Sequence, residues 1–155
     1  MAANSIRLSR ICQPNYAMKF VSVCIVTGHV PSLARFYEGV TGIAAVGCSE
    51  HYVEIPTPAG VIAICSKESL KLFIAGAAEP GANRSLILEF EVDDVDRERA
   101  RLERIVDDFV MEPKNQPWRN RSMLFRDPDG NLINMFATVD WTEKSPDACG
   151  GQGVD

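Results

Sequence analysis

The pattern of apolar and polar positions predicts two halves with the same order of elements. In the first half, residues 19–27 are apolar and rich in β-branched side chains, which indicates a strand. Residues 29–42 follow with apolar side chains at helical spacing, and Pro31 suits the first turn of a helix. Turn residues then separate three short predicted strands, at residues 44–48, 51–55 and 60–65. The first module, residues 19–66, is therefore predicted to be β-α-β-β-β.

The second half repeats this order in residues 85–138, the second module. Residues 85–92 have the composition of a strand, and residues 93–105 have the acidic start and charged surface of a helix. Asp93 or Asp94 is the expected N-cap of that helix. Three more strands are expected, at residues 106–113, 120–127 and 130–137.

Segments of different composition flank and join the two modules. Residues 67–84 contain Gly and Pro and show no sustained period, which predicts a linker. Residues 1–18 are basic and free of acids, and they are expected to form an N-terminal extension. Residues 139–155 end in a Gly-rich tail. One domain, residues 19–138, is thus expected between two terminal segments.

One local repeat supports the equivalence of the two modules. The sequence EIPTPAGVIAIC, residues 54–65, aligns without a gap on LFRDPDGNLINM, residues 124–135. Pro58 lies over Pro128 in this alignment. The repeat indicates two modules built on one plan.

The composition is that of an acidic globular protein. The 155 residues are 46% hydrophobic and 24% charged, which are ordinary values for a globular chain. A formal net charge of −5 gives no overall basic field, which argues against nucleic acid as a partner. The arginines of residues 97–104 alternate with acids, which predicts a salt-bridged helix surface. A small-molecule ligand is compatible with this charge.

Two further features indicate where the protein works. No apolar run approaches the roughly 18 residues of a membrane-spanning helix, and the N-terminal residues lack the apolar core of a secretory signal. The five cysteines are an odd number without CxxC spacing, which favours reduced thiols over a disulfide framework. We therefore expect a cytoplasmic protein that does not bind membranes.

Three motifs, in order and at the right distances, resemble one known superfamily. LARFYEGVTG (33–42) resembles its first helix, LEFEVDDVD (88–96) the strand entering its second helix, and PWRNRSMLFRDPDGNLINMF (117–136) its last hairpin. The chain thus resembles the vicinal oxygen chelate superfamily, which includes glyoxalase I, bleomycin-resistance proteins and extradiol dioxygenases.

The resemblance implies a fold and an assembly. An α+β fold is expected, in which two βαβββ modules form a curved, barrel-like mixed sheet around a cavity, with the helices outside. Members of the superfamily often complete the cavity in a dimer. A homodimer is therefore expected, either domain-swapped or side by side.

The resemblance also implies where a metal would bind. Metal-dependent members hold a divalent ion with His, Gln or Glu on the first and last strands of each module. Those positions fall here on Ser22, Ile87, Asn134 and, by the internal repeat, Ile64, or Ala63 if the register slips by one. None of these side chains is an imidazole or a carboxylate, the ligands that a catalytic divalent ion needs. No metal ligand and no cofactor are therefore expected, which favours the metal-free, bleomycin-resistance-like branch.

The two histidines do not change that expectation. His29 lies at the predicted helix start, where it is expected to cap the helix or to be exposed. His51 lies at a hairpin edge, where a solvated or rim position is expected. A metal site with misplaced ligands would have to use His51, Glu54 and Glu89.

Strand alternation and the resemblance together predict the side chains that line the cavity. The expected ligand-binding residues are Ser22, Cys24, Glu89, Trp118, Arg121, Asn134 and Phe136. Glu89 stands where the superfamily usually has a small apolar residue, and it is the one candidate for a catalytic residue. It could hold a cationic or hydroxyl-bearing ligand, or act as a general base if it is buried. A register error, or an ion pair at a dimer seam, is the alternative.

The other candidates also have two interpretations. Arg121 could bind a carboxylate or phosphate in the cavity, or it could lie on a surface hairpin. Trp118 could stack a planar ligand or cover the edge of the core. Cys24 faces the cavity by parity, where a buried, inert thiol is expected.

Three functions are compatible with these observations. The first is a protein of the bleomycin-resistance type that binds a small molecule in the cavity without a catalytic metal, for sequestration or resistance. The second is an enzyme: a metal-dependent isomerase, lyase or dioxygenase with one divalent ion, or a metal-free catalyst based on Glu89. The third is an interaction module whose cavity is closed by side chains. The sequence favours the first and leaves catalysis open.

Overall fold

A computed structural model describes residues 18–72 and 75–139, which form eleven elements. The first module contains β1 (Ser22–Thr27), α1 (Val30–Thr41), β2 (Val46–Ser49), β3 (Tyr52–Thr57) and β4 (Gly60–Ser66). A short helix, α2 (Lys67–Leu70), follows it. The second module contains β5 (Ile87–Glu91), α3 (Val95–Leu102), β6 (Phe109–Asn115), β7 (Asn120–Arg126) and β8 (Leu132–Thr138).

The strands form two curved, mixed sheets of the same design. The order is β1-β4-β3-β2 in the first sheet and β5-β8-β7-β6 in the second. In each sheet the first strand of the module pairs in parallel with the last, and the other neighbours are antiparallel. The predicted α+β fold of two βαβββ modules is confirmed. The described strands make two separate sheets, so the barrel-like arrangement is not closed within them.

Local sequence explains where the two long helices begin and end. Helix α1 starts behind His29, whose Nδ1 accepts a hydrogen bond from the Ser32 amide at 3.1 Å. It stops at Gly42, whose φ of 70° is readily adopted only by glycine. Helix α3 starts behind Asp94, whose carboxylate accepts from the amides of Asp96 and Arg97. The predicted capping role of His29 and the predicted Asp94 cap are both confirmed.

One hydrophobic core joins the two modules. Helix α1 packs on β3 and β4, and α3 packs on β6, β7 and β8. Helix α1 also reaches the second sheet, where the ring centroids of Phe36 and Phe125 are 6.5 Å apart. Each sheet thus has one helix-covered face and one face without α1 or α3, called the open face below.

Polar contacts also cross between the modules. The hydroxyl of Tyr37, a fully buried residue of α1, donates to the Asp127 carboxylate after β7 at 2.9 Å. From α3, the Arg101 guanidinium donates to the carbonyls of Gly39 and Val40 in the last turn of α1, at 2.6 and 2.7 Å. The two modules are therefore held together by both apolar and polar contacts.

The structure differs from the expected element boundaries mainly in the predicted linker. Residues 67–70 form a helical turn, with Ser66 as N-cap accepting from the Ser69 amide at 3.0 Å. Four residues are too few to show a helical period, which is why the sequence did not indicate this turn. The expected N-terminal extension and tail lie outside the described residues, apart from Met18 and Val139. None of the helices in the described part of the chain is long and apolar enough to cross a membrane.

The gapless internal repeat gives the wrong register for the last strand of each module. Glu54 pairs with Ala63 in the first sheet, whereas Leu124 pairs with Asn134 in the second. The equivalent of Asn134 is therefore Ala63, and Ile64 is fully buried in the core. The cause is turn length, because two residues join β3 to β4 and five residues join β7 to β8. The alternative with a one-residue slip is the correct one.

Candidate functional site

The open face of the second sheet brings Glu89 and Asn134 together. These residues are direct partners on the parallel strands β5 and β8. The Asn134 Nδ2 atom donates a hydrogen bond to Glu89 Oε1 at 2.9 Å. The neighbours Leu88 and Phe90 turn the other way and pack against the core, so alternation places Glu89 on the open face as predicted. Glu89 itself is exposed in the single chain.

Two buried polar atoms lie beside this pair without a partner in the described structure. They are Asn134 Oδ1 and Ser122 Oγ. Ser122 is only 3% exposed and pairs with Phe136 on β8, which lies two residues from Asn134 and on the same face. Leaving a buried polar atom unbonded costs about 1–3 kcal/mol, so such atoms are expected to find a partner. The site therefore offers one free amide oxygen and one free hydroxyl.

Apolar and acidic groups surround these atoms. Phe136 pairs with Glu91 across β8 and β5, so both lie in the row next to Glu89 and Asn134. Leu132 pairs with the exposed Ile87 in the row on the other side. The centre of the open face is therefore acceptor-rich, negatively charged and flanked by apolar surface. Such a surface fits a ligand that presents N–H or O–H donors or a positive charge.

The open face of the first sheet carries the other predicted residues, Ser22 and Cys24. Cys24 is exposed, which contradicts the expected buried thiol, and its sulfur lies 3.4 Å from that of Cys65 on β4. The residue as a whole is accessible, but its sulfur rests against Cys65. Partial burial of the sulfur, with the Cys65 hydrogen bond adding to it, raises the pKa of Cys24 to about 11.

Tyr52 and Glu54 are neighbours of these cysteines on the same sheet. Tyr52 pairs with Cys65, and its hydroxyl donates to Glu54 Oε1 at 2.7 Å. That hydrogen bond is the main reason that the pKa of Tyr52 is raised to about 12. The first open face is thus also acidic, with a phenol and two thiols beside the carboxylate.

Arg121 does not point toward Glu89 and Asn134. It lies on the helix-covered face, where Nε and Nη2 donate to the two carboxylate oxygens of Asp96 in α3 at 2.6 and 2.7 Å. This bidentate bond is the largest cause of the lowered pKa of Asp96 and the raised pKa of Arg121. Arg121 pairs with Ala137, one residue along β7 from Ser122, so the assumed facing was off by one position. The expectation of a cavity-directed guanidinium is wrong.

Trp118 lies in the turn between β6 and β7. It is 67% exposed, and the next residue, Arg119, has a φ of 67°. The turn closes through the Arg119 amide, which donates to the Gln116 carbonyl at 3.2 Å. Trp118 therefore neither covers the core nor touches the Glu89–Asn134 pair in the single chain.

The described residues do not form a site that fits a metal ion. No group of three or more His, Cys, Asp or Glu side chains within residues 18–72 and 75–139 is arranged to hold one. His29 is used as a helix cap, and the Nδ1 atom of His51 is 3.2 Å from the Ser66 hydroxyl. With Ala63 in place of Ile64, the four metal positions of the superfamily still lack an imidazole or a carboxylate.

Two residues of these faces were missed from the sequence. Ser122 was placed in a strand, but its unbonded hydroxyl depends on the burial that the folded sheet imposes. Cys65 was not connected with Cys24 because 41 residues separate them and the strand register was uncertain. The parallel pairing of the first and last strands of a module was the signal that could have joined them.

Comparison with known proteins gives one consistent result. A family model described as Glyoxalase/Bleomycin resistance protein/Dioxygenase superfamily matches residues 19–135. No curated protein sequence matches the chain.

Solved structures share the fold at low sequence identity. A glyoxalase/bleomycin resistance protein/dioxygenase from Nocardioides is 20% identical with a TM-score of 0.68, over 89% of this chain and 93% of that one. A glyoxalase/bleomycin resistance protein/dioxygenase family enzyme from Burkholderia phytofirmans PsJN is 18% identical with a TM-score of 0.69, over 76% and 97%. A glyoxalase-related enzyme from Fulvimarina pelagi is 19% identical with a TM-score of 0.67, over 77% and 88%.

Proposed function

Because the chain belongs to the glyoxalase/bleomycin resistance protein/dioxygenase superfamily, we propose that it binds a small, donor-bearing molecule without a catalytic metal. The observation that carries the proposal is the Asn134–Glu89 hydrogen bond, which leaves Asn134 Oδ1 buried and unbonded. An amide held in this way presents an acceptor to the ligand, and the adjacent carboxylate adds a charge. The proposed role is sequestration or resistance, as in the bleomycin-resistance branch.

The chemistry of the donor set supports the metal-free part of the proposal. A catalytic divalent ion in this superfamily needs His, Gln or Glu at positions that here are Ser22, Ala63, Ile87 and Asn134. A serine, an alanine, an isoleucine and an amide do not satisfy the ligand preferences of Zn²⁺, Mn²⁺ or Fe²⁺. Two carboxylates lie beside these positions, and both already accept a hydrogen bond. Glu89 accepts from Asn134, and Glu54, the partner of Ala63 on the sheet, accepts from the Tyr52 hydroxyl.

The acceptor-rich surface defines the class of ligand. Glu89, Asn134 Oδ1 and the nearby Glu91 all favour a cation or a donor of several hydrogen bonds. The nearby arginines are engaged elsewhere: Arg121 is paired with Asp96 on the other face, and Arg126, the partner of Leu132, is bound to the Gly130 carbonyl and to Asp108. An anionic ligand is therefore disfavoured at Glu89. An aromatic amine or guanidine, with its ring against Phe136 and Leu132, combines both preferences.

A second copy of the chain is the proposed cover of the open faces. Val46 on the first sheet, and Leu86 and Ile87 at the start of the second, are exposed apolar side chains. Association in a homodimer would bury them and enclose Glu89, which is exposed in the single chain. Ile87→Glu would place a charge in that interface, and we expect sedimentation analysis to show a shift from dimer to monomer. A dimer that survives this change would place the interface elsewhere.

A thermal-shift and calorimetry screen tests the ligand class. The probes are matched sets of planar aromatic amines, guanidines, neutral amides and carboxylates. We expect stabilisation by the amines and guanidines, because a ligand that binds only the folded state raises its stability. Glu89→Gln should weaken the best probe by about 10- to 100-fold, the value of a charged hydrogen bond. Glu68→Gln, which makes the same charge change on α2, is the matched control.

Two outcomes would contradict the proposal. One is equal stabilisation by carboxylates and amines, because the acidic surface should discriminate between them. The other is unchanged affinity in both Glu89→Gln and Asn134→Leu. Either result would move the binding site away from this sheet.

Metal analysis separates the proposal from the enzyme alternative. About one equivalent of Ni, Zn, Mn or Fe per purified chain, retained in the Cys24→Ser variant, would contradict a metal-free site. The variant is needed because thiols could hold zinc at another position. The expected cytoplasmic location is also part of the proposal, and the free thiols of Cys24 and Cys65 support it.

A further inference from the structure

Cys24 and Cys65 form a pair of thiols that the proposed ligand site does not use. Their sulfur atoms are 3.4 Å apart on the adjacent strands β1 and β4. Cys24 is exposed, whereas Cys65 is 6% exposed and forms the floor of the pair. Both are free thiols. One sulfur is thus reachable from solvent, and the other lies in contact behind it.

The strand register makes this pair too wide for an unstrained disulfide. Cys24 pairs with Ala63 and Cys65 pairs with Val26, so the two cysteines are diagonal neighbours. Strands about 4.8 Å apart and a rise of about 3.3 Å per residue place their Cα atoms about 8 Å apart. Disulfides need a Cα separation below about 7 Å and a sulfur separation of about 2.05 Å. Oxidation would therefore have to pull the edge strand β1 and its neighbour β4 closer together.

We propose that Cys24 and Cys65 are a two-thiol site that chelates a single thiophilic atom, with trivalent arsenic as the best-fitting class. A single atom that bonds to both sulfurs can bridge them, even though the two sulfurs are too far apart to bond directly to each other. Tetrahedral zinc, with bonds of about 2.3 Å, would hold the sulfurs about 3.8 Å apart. Trivalent arsenic is pyramidal with a narrower S–As–S angle. It therefore suits the observed separation of 3.4 Å better.

The reaction balances without an oxidant or a reductant. An organoarsenic(III) oxide, R–As=O, exchanges its oxygen for two As–S bonds, and the oxygen leaves as water with the two thiol protons. Arsenic remains trivalent throughout. The reactant is uncharged, so the acidic Glu54 and Tyr52 surface does not repel it. Because water carries the protons away, the thiols do not have to ionise beforehand, which matters for a thiol whose pKa is raised.

Titration of the full-length protein with phenylarsine oxide tests the site. We expect one equivalent to bind and to raise the melting temperature, because the bridge ties β1 to β4. A dithiol such as dimercaptopropanol should reverse the effect, and a monothiol at the same concentration should not. Cys24→Ser and Cys65→Ser should each weaken binding by about 100-fold or more, since a second linked contact contributes 10²–10⁴ in affinity. Cys149→Ser is the control, and its affinity should be unchanged.

The proposal fails if Cys24→Ser binds phenylarsine oxide as tightly as the parent protein. Cys24 is exposed, so this variant is expected to fold even if Cys65→Ser does not. It also fails if oxidised glutathione converts the pair to a disulfide without lowering the melting temperature, because the spacing would then suit a direct bond. These results concern the first sheet and leave the Glu89–Asn134 proposal on the second sheet unaffected.

Discussion

The Tyr37 hydroxyl donates to Asp127 Oδ2 from a helix of the first module to a turn of the second. Asp127 is 5% exposed, and its carboxylate also accepts from the amides of Asp129 and Asn131 and from the Asn131 side chain. A buried carboxylate needs such a set of donors to offset the loss of water. Burial first, and then the Asp127 charge, raises the pKa of Tyr37 far above its usual value. This contact therefore organises the DPDGN turn around a side chain of the other module.

Tyr37→Phe should lower the free energy of unfolding by about 1–2 kcal/mol. The ring remains and the Asp127 carboxylate keeps its other donors, so only one buried hydrogen bond is lost. Urea unfolding followed by circular dichroism measures the change. Tyr52→Phe, which removes the exposed bond to Glu54, is the matched control and should cost less than about 0.5 kcal/mol. Equal losses in both variants would mean that the Asp127 bond adds little.

Asp129→Asn should stabilise the protein at neutral pH. Burial raises the pKa of Asp129, and neighbouring Asp127 adds to it, while the Thr27 hydroxyl partly opposes the shift. A carboxyl group whose pKa is higher in the folded than in the unfolded protein stabilises the fold below its unfolded pKa. That stabilisation is lost as the pH rises through the pKa of the folded protein. Because Asp129 is only partly buried and solvent screens its charge, the asparagine variant should gain no more than about 0.5 kcal/mol at pH 7 and nothing at about pH 3. Urea midpoints at the two pH values measure this, and a gain that grows toward acid would contradict it.

Arg119→Gly should also stabilise the protein. Arg119 has a φ of 67°, a region that costs a non-glycine residue about 1–2 kcal/mol, whereas glycine loses about 0.4–1 kcal/mol through chain entropy. The net gain should be about 0.5 kcal/mol in urea unfolding. Arg119→Ala keeps the strain and should give no gain. Gly130→Ala, at a φ of 82°, should be destabilised by the same argument.

Arg121→Gln should change stability and leave ligand binding alone. Because the pKa of Asp96 is lowered in the folded protein, its ion pair with Arg121 stabilises the fold at pH values above the usual pKa of an aspartate. This stabilisation is lost as the pH falls through the pKa of Asp96 in the folded protein. We expect a loss of about 0.5 kcal/mol at pH 7, as for other surface pairs, that disappears below about pH 3. A large loss of affinity for any probe that responds to Glu89→Gln would return Arg121 to the binding site.

The fold could be predicted because each of its signals is local. Pro31 and Gly42 bracket α1, Asp94 starts α3, and β-branched runs indicate the strands. The parity of β5 and β8 placed Glu89 and Asn134 on the same face, and their hydrogen bond follows from the strand pairing.

The remaining features depend on distances along the chain that local patterns do not encode. The assignment of Ile64 as the equivalent of Asn134 failed because the turn between β7 and β8 is three residues longer than the turn between β3 and β4. The prediction that Arg121 points into the cavity failed because it was taken from the resemblance rather than from the position of Arg121 on β7. Cys65 was missed because its partner is a diagonal neighbour on a strand 41 residues away.

The contact between Arg101 and the α1 carbonyls bears on whether each module can fold when it is expressed without the other. The end of a helix leaves carbonyl groups without internal partners, and here an arginine of the other half supplies donors to two of them. Each half repeats the architecture of the other, but the first half does not carry the donors that satisfy the end of its own helix. Expressed alone, residues 18–66 should therefore remain largely unstructured, and mixing them with residues 75–139 should restore a folded complex.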